Sequence, residues 1–339
     1  MRIAITVDPE IPVPPTLYGG IERIVDFLVR GLIERGHHVT LFAHPASTVS
    51  GTLRAYPGRR SQNRLDLARN MYHINRELLW GRYDLVHSFG RLAYLLPSLP
   101  LSLPKLMSYQ RHIAPRSVQI GDLLSGGRLH YSGCSAALIK AYQQRPNWHV
   151  VYNGVPAERY TFQPTVAPDA PLVFLGRVEP IKGPEQAITI ARQTGRTLII
   201  AGNIPAEHQA FFDQAIRPAI DDRQIHYLGP VDDRQKNALL GQAAALLMPI
   251  QWEEPFGIVM AEALACGTPV VGLCRGAVPE VVTHGVNGFV GTTITELVGA
   301  VHRVAEIDRH QCRSILEQRF SAQAIVTAYE RIYHMMVAQ

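Results

Sequence analysis

The chain has 339 residues, 47% hydrophobic and 18% charged, which is the composition of a folded globular protein with room for two cores of ordinary size. No apolar run is long enough to cross a bilayer, and the four cysteines, Cys134, Cys266, Cys274 and Cys312, have neither metal-ligand spacing nor a disulfide framework. The net charge of +5 is uneven: residues 1–160 hold 19 Lys and Arg against 10 Asp and Glu, and residues 161–339 hold 14 against 18. The basic half, rich in arginine between Arg54 and Arg91, reads either as a solvated surface or as a contact with an anionic membrane or an acidic acceptor. No nucleic-acid motif accompanies the charge.

Residues 2–7 read as a strand. The chain enters it at once, so no signal peptide is expected, and with this cysteine usage the expected location is the cytoplasm. Residues 8–18 form a loop stiffened by Pro9, Pro12, Pro14 and Pro15. Ile21, Ile24, Val25, Leu28 and Leu32 then recur at helical spacing, and Gly36 is a good stop. A strand at 39–43, a helix carrying Leu67, Met71, Ile74 and Leu78, and a strand at 83–87 follow. In the second half, strands at 172–175, 197–201, 226–228, 245–248 and 268–272 alternate with helices at 185–194, 211–216 and 235–244. Such alternation predicts an α/β chain with a parallel sheet in each half. Pro164, Pro168 and Pro171 interrupt the periodicity and mark the break, and Ile325, Ala328, Tyr329 and Ile332 predict a last helix.

Four segments carry chemistry. Gly19 and Gly20, in Tyr18-Gly19-Gly20-Ile21-Glu22, sit between the first strand and the first helix, where a backbone can approach a ligand closely. This is not a Gly-x-Gly-x-x-Gly fingerprint, so no nicotinamide cofactor is indicated. Arg177 and Lys182 lie five residues apart across a turn after a strand, as cations that neutralise a diphosphate do. Residues 253–271 run from a loop with Gly257 through a short apolar helix to Gly267 and a Val-rich strand, with Glu254 eight residues before Glu262. Among Met260, Ala261, Ala263 and Leu264, the Glu262 carboxylate needs a donor, and ribose hydroxyls are one candidate. The helix start offers amides to a phosphate. His87 closes a strand, whose C-terminal end in an open α/β sheet faces the ligand crevice.

The segment 253–271 resembles the Glu-x7-Glu motif of retaining glycosyltransferases of GT-B architecture, in the large family numbered 4. Pro255, Phe256, Gly257 and the run Gly267-Thr268-Pro269-Val270-Val271 fall where that family has them, and Gly176-Arg177 with Lys182-Gly183 matches its Gly-Arg-x4-Lys-Gly pattern. The resemblance covers nearly the whole chain. It implies two Rossmann-like domains facing a cleft: an acceptor-side domain at 1–158, a nucleotide-sugar domain at 159–319, and a C-terminal helix at 320–339 crossing back to the first domain. It implies a retaining sugar transfer from a nucleotide-diphosphate sugar, most commonly a UDP-sugar, to an acceptor that the sequence does not specify.

Residue by residue, the resemblance puts Arg177 and Lys182 on the diphosphate and Glu254 and His87 at the donor sugar. The amides of Phe256, Gly257, Ile258 and Val259 face the diphosphate, and Glu262 holds the ribose. Gly19 and Gly20 lie against the diphosphate and acceptor, and Gly202, Gly229 and Val231 lie near the base. Ser132 and Asn153 match family positions more weakly. The acceptor is expected on the first domain, around residues 8–20, 54–66 and 108–130. No Asp-x-Asp triplet occurs, so neither a metal nor a cofactor is expected. A GT-B phosphorylase or epimerase, and a non-catalytic sugar-nucleotide-binding protein, are the alternatives.

Overall fold

The computed structural model describes residues 1–15 and 19–338. Its chain forms two compact units, Met1–Asn153 with Ala322–Gln339, and Gly154–Ser321. The sequence places these divisions at 158/159 and 319/320. The two crossings are set by pairing rather than by proline: Val155 bridges Ser321, and the Val155 amide donates to the Phe320 carbonyl at 2.9 Å.

Among the described residues the first unit holds a seven-stranded parallel sheet in the order β3-β2-β1-β4-β5-β6-β7. The strands are β1 (Arg2–Thr6), β2 (His38–Ala43), β3 (Thr52–Ala55), β4 (Leu85–Ser88), β5 (Lys105–Tyr109), β6 (Leu129–Gly133) and β7 (Trp148–Val150). In register, Ile3 pairs with Val39 on one side and Leu85 on the other. Ile3, Ala4 and Ile5 are fully buried, as a strand covered on both faces requires. Helix Gly20–Glu34 turns Ile24, Val25, Leu28 and Leu32 inward. The C-terminal helix Ala322–Val337 belongs to this unit and packs on helix Gly20–Glu34, where a Cβ on Gly31 would collide with Val326. Its Glu330 takes Arg35 at 2.6 Å and His37 at 2.8 Å.

The second unit holds a six-stranded parallel sheet in the order β10-β9-β8-β11-β12-β13. These strands are β8 (Leu172–Leu175), β9 (Leu198–Ala201), β10 (Ile225–Gly229), β11 (Ala245–Met248), β12 (Val270–Leu273) and β13 (Gly288–Gly291). In each unit the chain lays strands outward in one direction, returns, and continues in the other. The reversal lies between β1 and β4 in the first unit and between β8 and β11 in the second. Loops leaving adjacent strands diverge at such a switch point and open a crevice at their C-terminal ends.

Candidate functional site

The second unit's switch point is built by the loops after β8 and β11. Gly183, at φ +77°, closes the first loop, and a Cβ there would collide with the Pro249 carbonyl of the second. The Gln251 amide reaches back to the Ile181 carbonyl at 2.8 Å, so the two loops are joined backbone to backbone. This junction brings Lys182 to Glu254: Nζ donates to Oε2 at 2.6 Å. Trp252 Nε1 donates to the same oxygen at 2.9 Å, and Lys182 Nζ stands 4.9 Å from the Trp252 ring centroid. Among the described residues nothing bonds Glu254 Oε1. The backbone is held as firmly, since the Ala277 amide donates to the Glu254 carbonyl at 2.9 Å and the Gly276 amide to Glu253 at 2.7 Å.

Eight residues on, Glu262 repeats the pattern. It is buried on helix Ile258–Ala265, and its Oε1 accepts from Tyr160 Oη at 2.9 Å and from Lys236 Nζ at 2.5 Å. Its Oε2 has no partner among the described residues. Burial alone would lower the Lys236 pKa, but the Glu262 carboxylate, with Asp233 at 3.1 Å, outweighs it and holds the ammonium above its ordinary range. The donor that Glu262 requires is therefore already supplied in part by the protein. Neither Tyr160 nor Lys236 is signalled by the sequence, because both reach Glu262 only through the tertiary fold.

Arg177 takes a different direction from Lys182. Its Nη2 lies 2.8 Å from Oε1 of buried Glu179, whose Oε2 is 3.6 Å from His208 Nε2. The cations are thus held by separate carboxylates. Behind them three glycines meet through their backbones: a Cβ on Gly202, at φ +149°, would collide with the Gly176 carbonyl, and the Gly202 amide donates to Gly229 at 2.8 Å. Val231 follows, half-buried. Gly257, at φ +75°, is the N-cap of helix Ile258–Ala265, and no side chain caps that end. Gly19 stands likewise, uncapped by any side chain, before helix Gly20–Glu34. Asn63, Asp232, Thr293 and Asp308, by contrast, cap their helices with side chains. Ile258 and Val259 are half-buried, and the Phe256 side chain is core, edge-on to Phe320 at 5.8 Å. Tyr18 lies outside the described residues.

Two expectations are corrected. His87 does not open to a crevice. It is fully buried in β4, with Nδ1 2.6 Å from Tyr333 Oη and Nε2 2.6 Å from Ser108 Oγ. Burial holds its pKa well below the ordinary value, so the ring is neutral. Ser132 sits in the same chain of bonds, 2.5 Å from Ser108 Oγ. Strand alternation is the cause: His87 points to the face covered by the C-terminal helix, while Ser88 points to the other face and accepts from Thr6 at 2.8 Å. Asn153 is buried at the end of the first unit, with Oδ1 unbonded among the described residues.

The first unit's own switch point holds Asp8, after β1, close to Gly90, after β4: a Cβ on Gly90 would stand 3.2 Å from Asp8 Oδ1. Among the described residues that oxygen is buried without a partner, while Oδ2 takes Arg111 at 3.0 Å. Both amide atoms of Gln110, after β5, are also buried and unbonded among the described residues. Burial raises the pKa of Asp8 and of nearby Glu22.

Residues 157–324 match the family model for glycosyl transferases group 1, and residues 18–115 match that for Glycosyltransferase Family 4. The chain belongs to the family 4 glycosyltransferases of GT-B fold. It is 33% identical over 200 residues to a glycogen synthase of Mycobacterium tuberculosis strain H37Rv, covering 54% of this chain and 47% of that protein. It is 35% identical over 122 residues to the D-inositol 3-phosphate glycosyltransferase of Mycolicibacterium smegmatis, covering 34% and 28%. The matched part is thus about half or less of these relatives' length. Among solved structures, AviGT4, a glycosyltransferase involved in avilamycin A biosynthesis, superposes over 100% of this chain and 98% of its own at TM-score 0.78 and 25% identity. The Anabaena protein HepE in complex with UDP covers 100% of both chains at TM-score 0.76 and 20% identity. The group 1 match spans the entire second switch point, from Tyr160 through Lys182 and Glu254 to Glu262, and the family 4 match reaches from the Gly19-Gly20 turn through Gln110 and Arg111.

Proposed function

We propose that the chain transfers a sugar, with retention of anomeric configuration and without a metal, from a UDP-sugar to a hydroxylated acceptor. One observation carries this reading: Glu254 and Glu262, eight residues apart, each have one carboxylate oxygen tied by two protein donors and the other open. A carboxylate so fixed accepts from a ligand hydroxyl without first reorganising. Glu254 meets the donor sugar, and Glu262 meets the ribose. The amides of Phe256 to Val259 and the cations Arg177 and Lys182 take the diphosphate, a charge that metal-using transferases leave to a bound ion. Gly202, Gly229 and Val231 present backbone to the base. Uridine is supported by the UDP complex of HepE. For the acceptor we favour the first unit's switch point, a reading supported by Asp8 Oδ1 and the Gln110 amide, which lack partners among the described residues.

In the reaction the bond from the sugar's anomeric carbon to the phosphate oxygen breaks, and a bond to the acceptor oxygen forms on the same face. The acceptor's proton passes to the leaving phosphate. Lys182 and Arg177 stabilise the charge that develops there. A thermal-shift series with UDP, ADP and GDP tests the donor site, since a ligand bound only by the folded chain raises apparent stability. UDP is expected to stabilise most, and Lys182→Ala to lower turnover about a hundredfold. Activity abolished by chelator and restored by magnesium would overturn the metal-free assignment.

A further inference from the structure

The helix Arg64–Trp80 has an outer face unlike that of an ordinary surface helix. Its exposed residues are Arg64, Leu65, Ala68, Arg69, Tyr72, Arg76, Leu79 and Trp80, every one either arginine or apolar. Leu65 and Tyr72 are each 68% exposed, Leu79 63% and Trp80 82%. Leu65, Tyr72 and Leu79 repeat every seven residues, so they form one line along the helix, with Arg69 and Arg76 between them. The inward face carries Asn70 and Asn75 beside Ile74 and Leu78. Asn70 binds the Gly58 amide and carbonyl, and the Asn75 amide nitrogen donates to the Met71 and Tyr94 carbonyls, while among the described residues its Oδ1 is buried without a partner. The helix thus anchors in the core through Ile74 and Leu78, with two asparagines beside them, and still presents large apolar side chains outward.

The charges around this face have one sign. The helix's acids, Asp66 and Glu77, are half-buried on its shoulder. Asp66 accepts the Arg59 and Arg60 amides, and Glu77 takes Arg54 at 3.1 Å. Arg69 and Arg76 approach these acids only at 3.8 and 3.6 Å and remain exposed. Exposed Arg59, Arg60 and Arg82 extend the basic rim. A second copy of this chain would set arginines against arginines here. A nucleic acid would find aliphatic Leu65 and Leu79 where stacking rings are needed. An anionic lipid surface fits each part: arginine to phosphate, Trp and Tyr to the headgroup layer, and leucine to the acyl boundary. Among the described residues no helix is long and apolar enough to cross a membrane.

We propose that the outer face of helix Arg64–Trp80 docks the protein on the surface of an anionic membrane. The proposal rests on exposure and charge, not on the transfer reading, and is measured with no sugar nucleotide present. The test is sedimentation of the full chain with vesicles of phosphatidylcholine alone and of equal parts phosphatidylcholine and phosphatidylglycerol. Binding is expected to the mixed vesicles only, to weaken with salt, and to fall about tenfold or more in Arg69→Glu/Arg76→Glu and in Leu79→Ser/Trp80→Ser. These side chains are largely exposed, so thermal unfolding of the variants should match the parent, which controls for misfolding. Three results would overturn the proposal: no binding to anionic vesicles, binding indifferent to both double variants, or binding equal on the two vesicle types. A concentration-dependent dimer abolished by Tyr72→Asp, in a chain that ignores vesicles, would assign the face to a second copy. Capture of an oligonucleotide by a chain that ignores vesicles would assign it to nucleic acid.

Discussion

Glu262 is the residue whose setting says most about how the donor site is kept ready. A carboxylate this buried carries a desolvation cost that a single neutral donor does not offset, and the fold supplies a cation as well. Removing the two donors should therefore have unequal effects. Lys236→Met leaves a buried carboxylate with only a phenol and should cost about 3–5 kcal/mol of stability. Tyr160→Phe removes one hydrogen bond and should cost about 1 kcal/mol. Denaturant titration of both variants measures the order, and a smaller effect for Lys236→Met would show that Lys236 is incidental. UDP binding should weaken in Lys236→Met as well, because Oε2 loses its fixed direction. Glu254 and Glu262 are legible in the sequence because their spacing lies within one loop and helix. Lys236, 26 residues from Glu262, and Tyr160, 102 residues away, are not. His87 shows the opposite failure: its place at a strand end was legible, but the face it points to depends on which helix covers the sheet.

At the level of elements, the joint between the loops after β8 and β11 fixes the distance from Lys182 to Glu254. Gly183 and Gly195 offer a matched pair to test it, since both sit in the left-handed region, at φ +77° and +66°. Nothing lies within 4 Å of a Cβ at Gly195, whereas Gly183 faces the Pro249 carbonyl. Gly195→Ala should cost about 1 kcal/mol, the backbone penalty alone. Gly183→Ala should cost clearly more and lower turnover as well, because Pro249 must move and Glu254 moves with its loop. Equal losses of stability, with activity kept in both, would detach the joint from the site. This turn was readable from Gly176-Arg177 and Lys182-Gly183. Strands β5 and β6 were not, because Ser108, Ser132 and Lys105 break their apolar runs. The fold buries all three, the serines in the His87 chain and Lys105 through bonds from Nζ to the Leu101 and Leu103 carbonyls at 2.8 and 2.6 Å.

Across the whole molecule the groups that resist protonation are divided between the units, and this predicts where acid acts first. Burial lowers the pKa of His73, His87 and His149, all in the first unit, with His149 brought to about 4 from the ordinary 6.5. When the unfolded chain binds protons that the folded chain refuses, stability falls as pH falls. That loss therefore begins near 6.5 and continues downward. Asp8 and Glu22 act in the other sense: burial raises their pKa, so their protonation regains some stability, but only as pH approaches the carboxylate range. In the second unit the shifted carboxylates are lowered: Asp221 to about 2 by backbone amides led by Ile225, Glu296 by the Thr292 amide, and Glu306 by Arg303. Their contribution is complete above the ordinary carboxylate values and is lost only below about 4.5. Between pH 7 and pH 5 the first sheet should thus lose protection while the second keeps it. Hydrogen exchange read peptide by peptide measures this, with β1, β4 and β5 expected to exchange faster at pH 5 after correction for the intrinsic rate, and β8, β11 and β12 unchanged. His149→Gln should flatten the dependence in the first unit by removing one of the three histidines. Equal loss in both sheets, or a first unit whose dependence ignores that substitution, would place the acid-sensitive groups elsewhere.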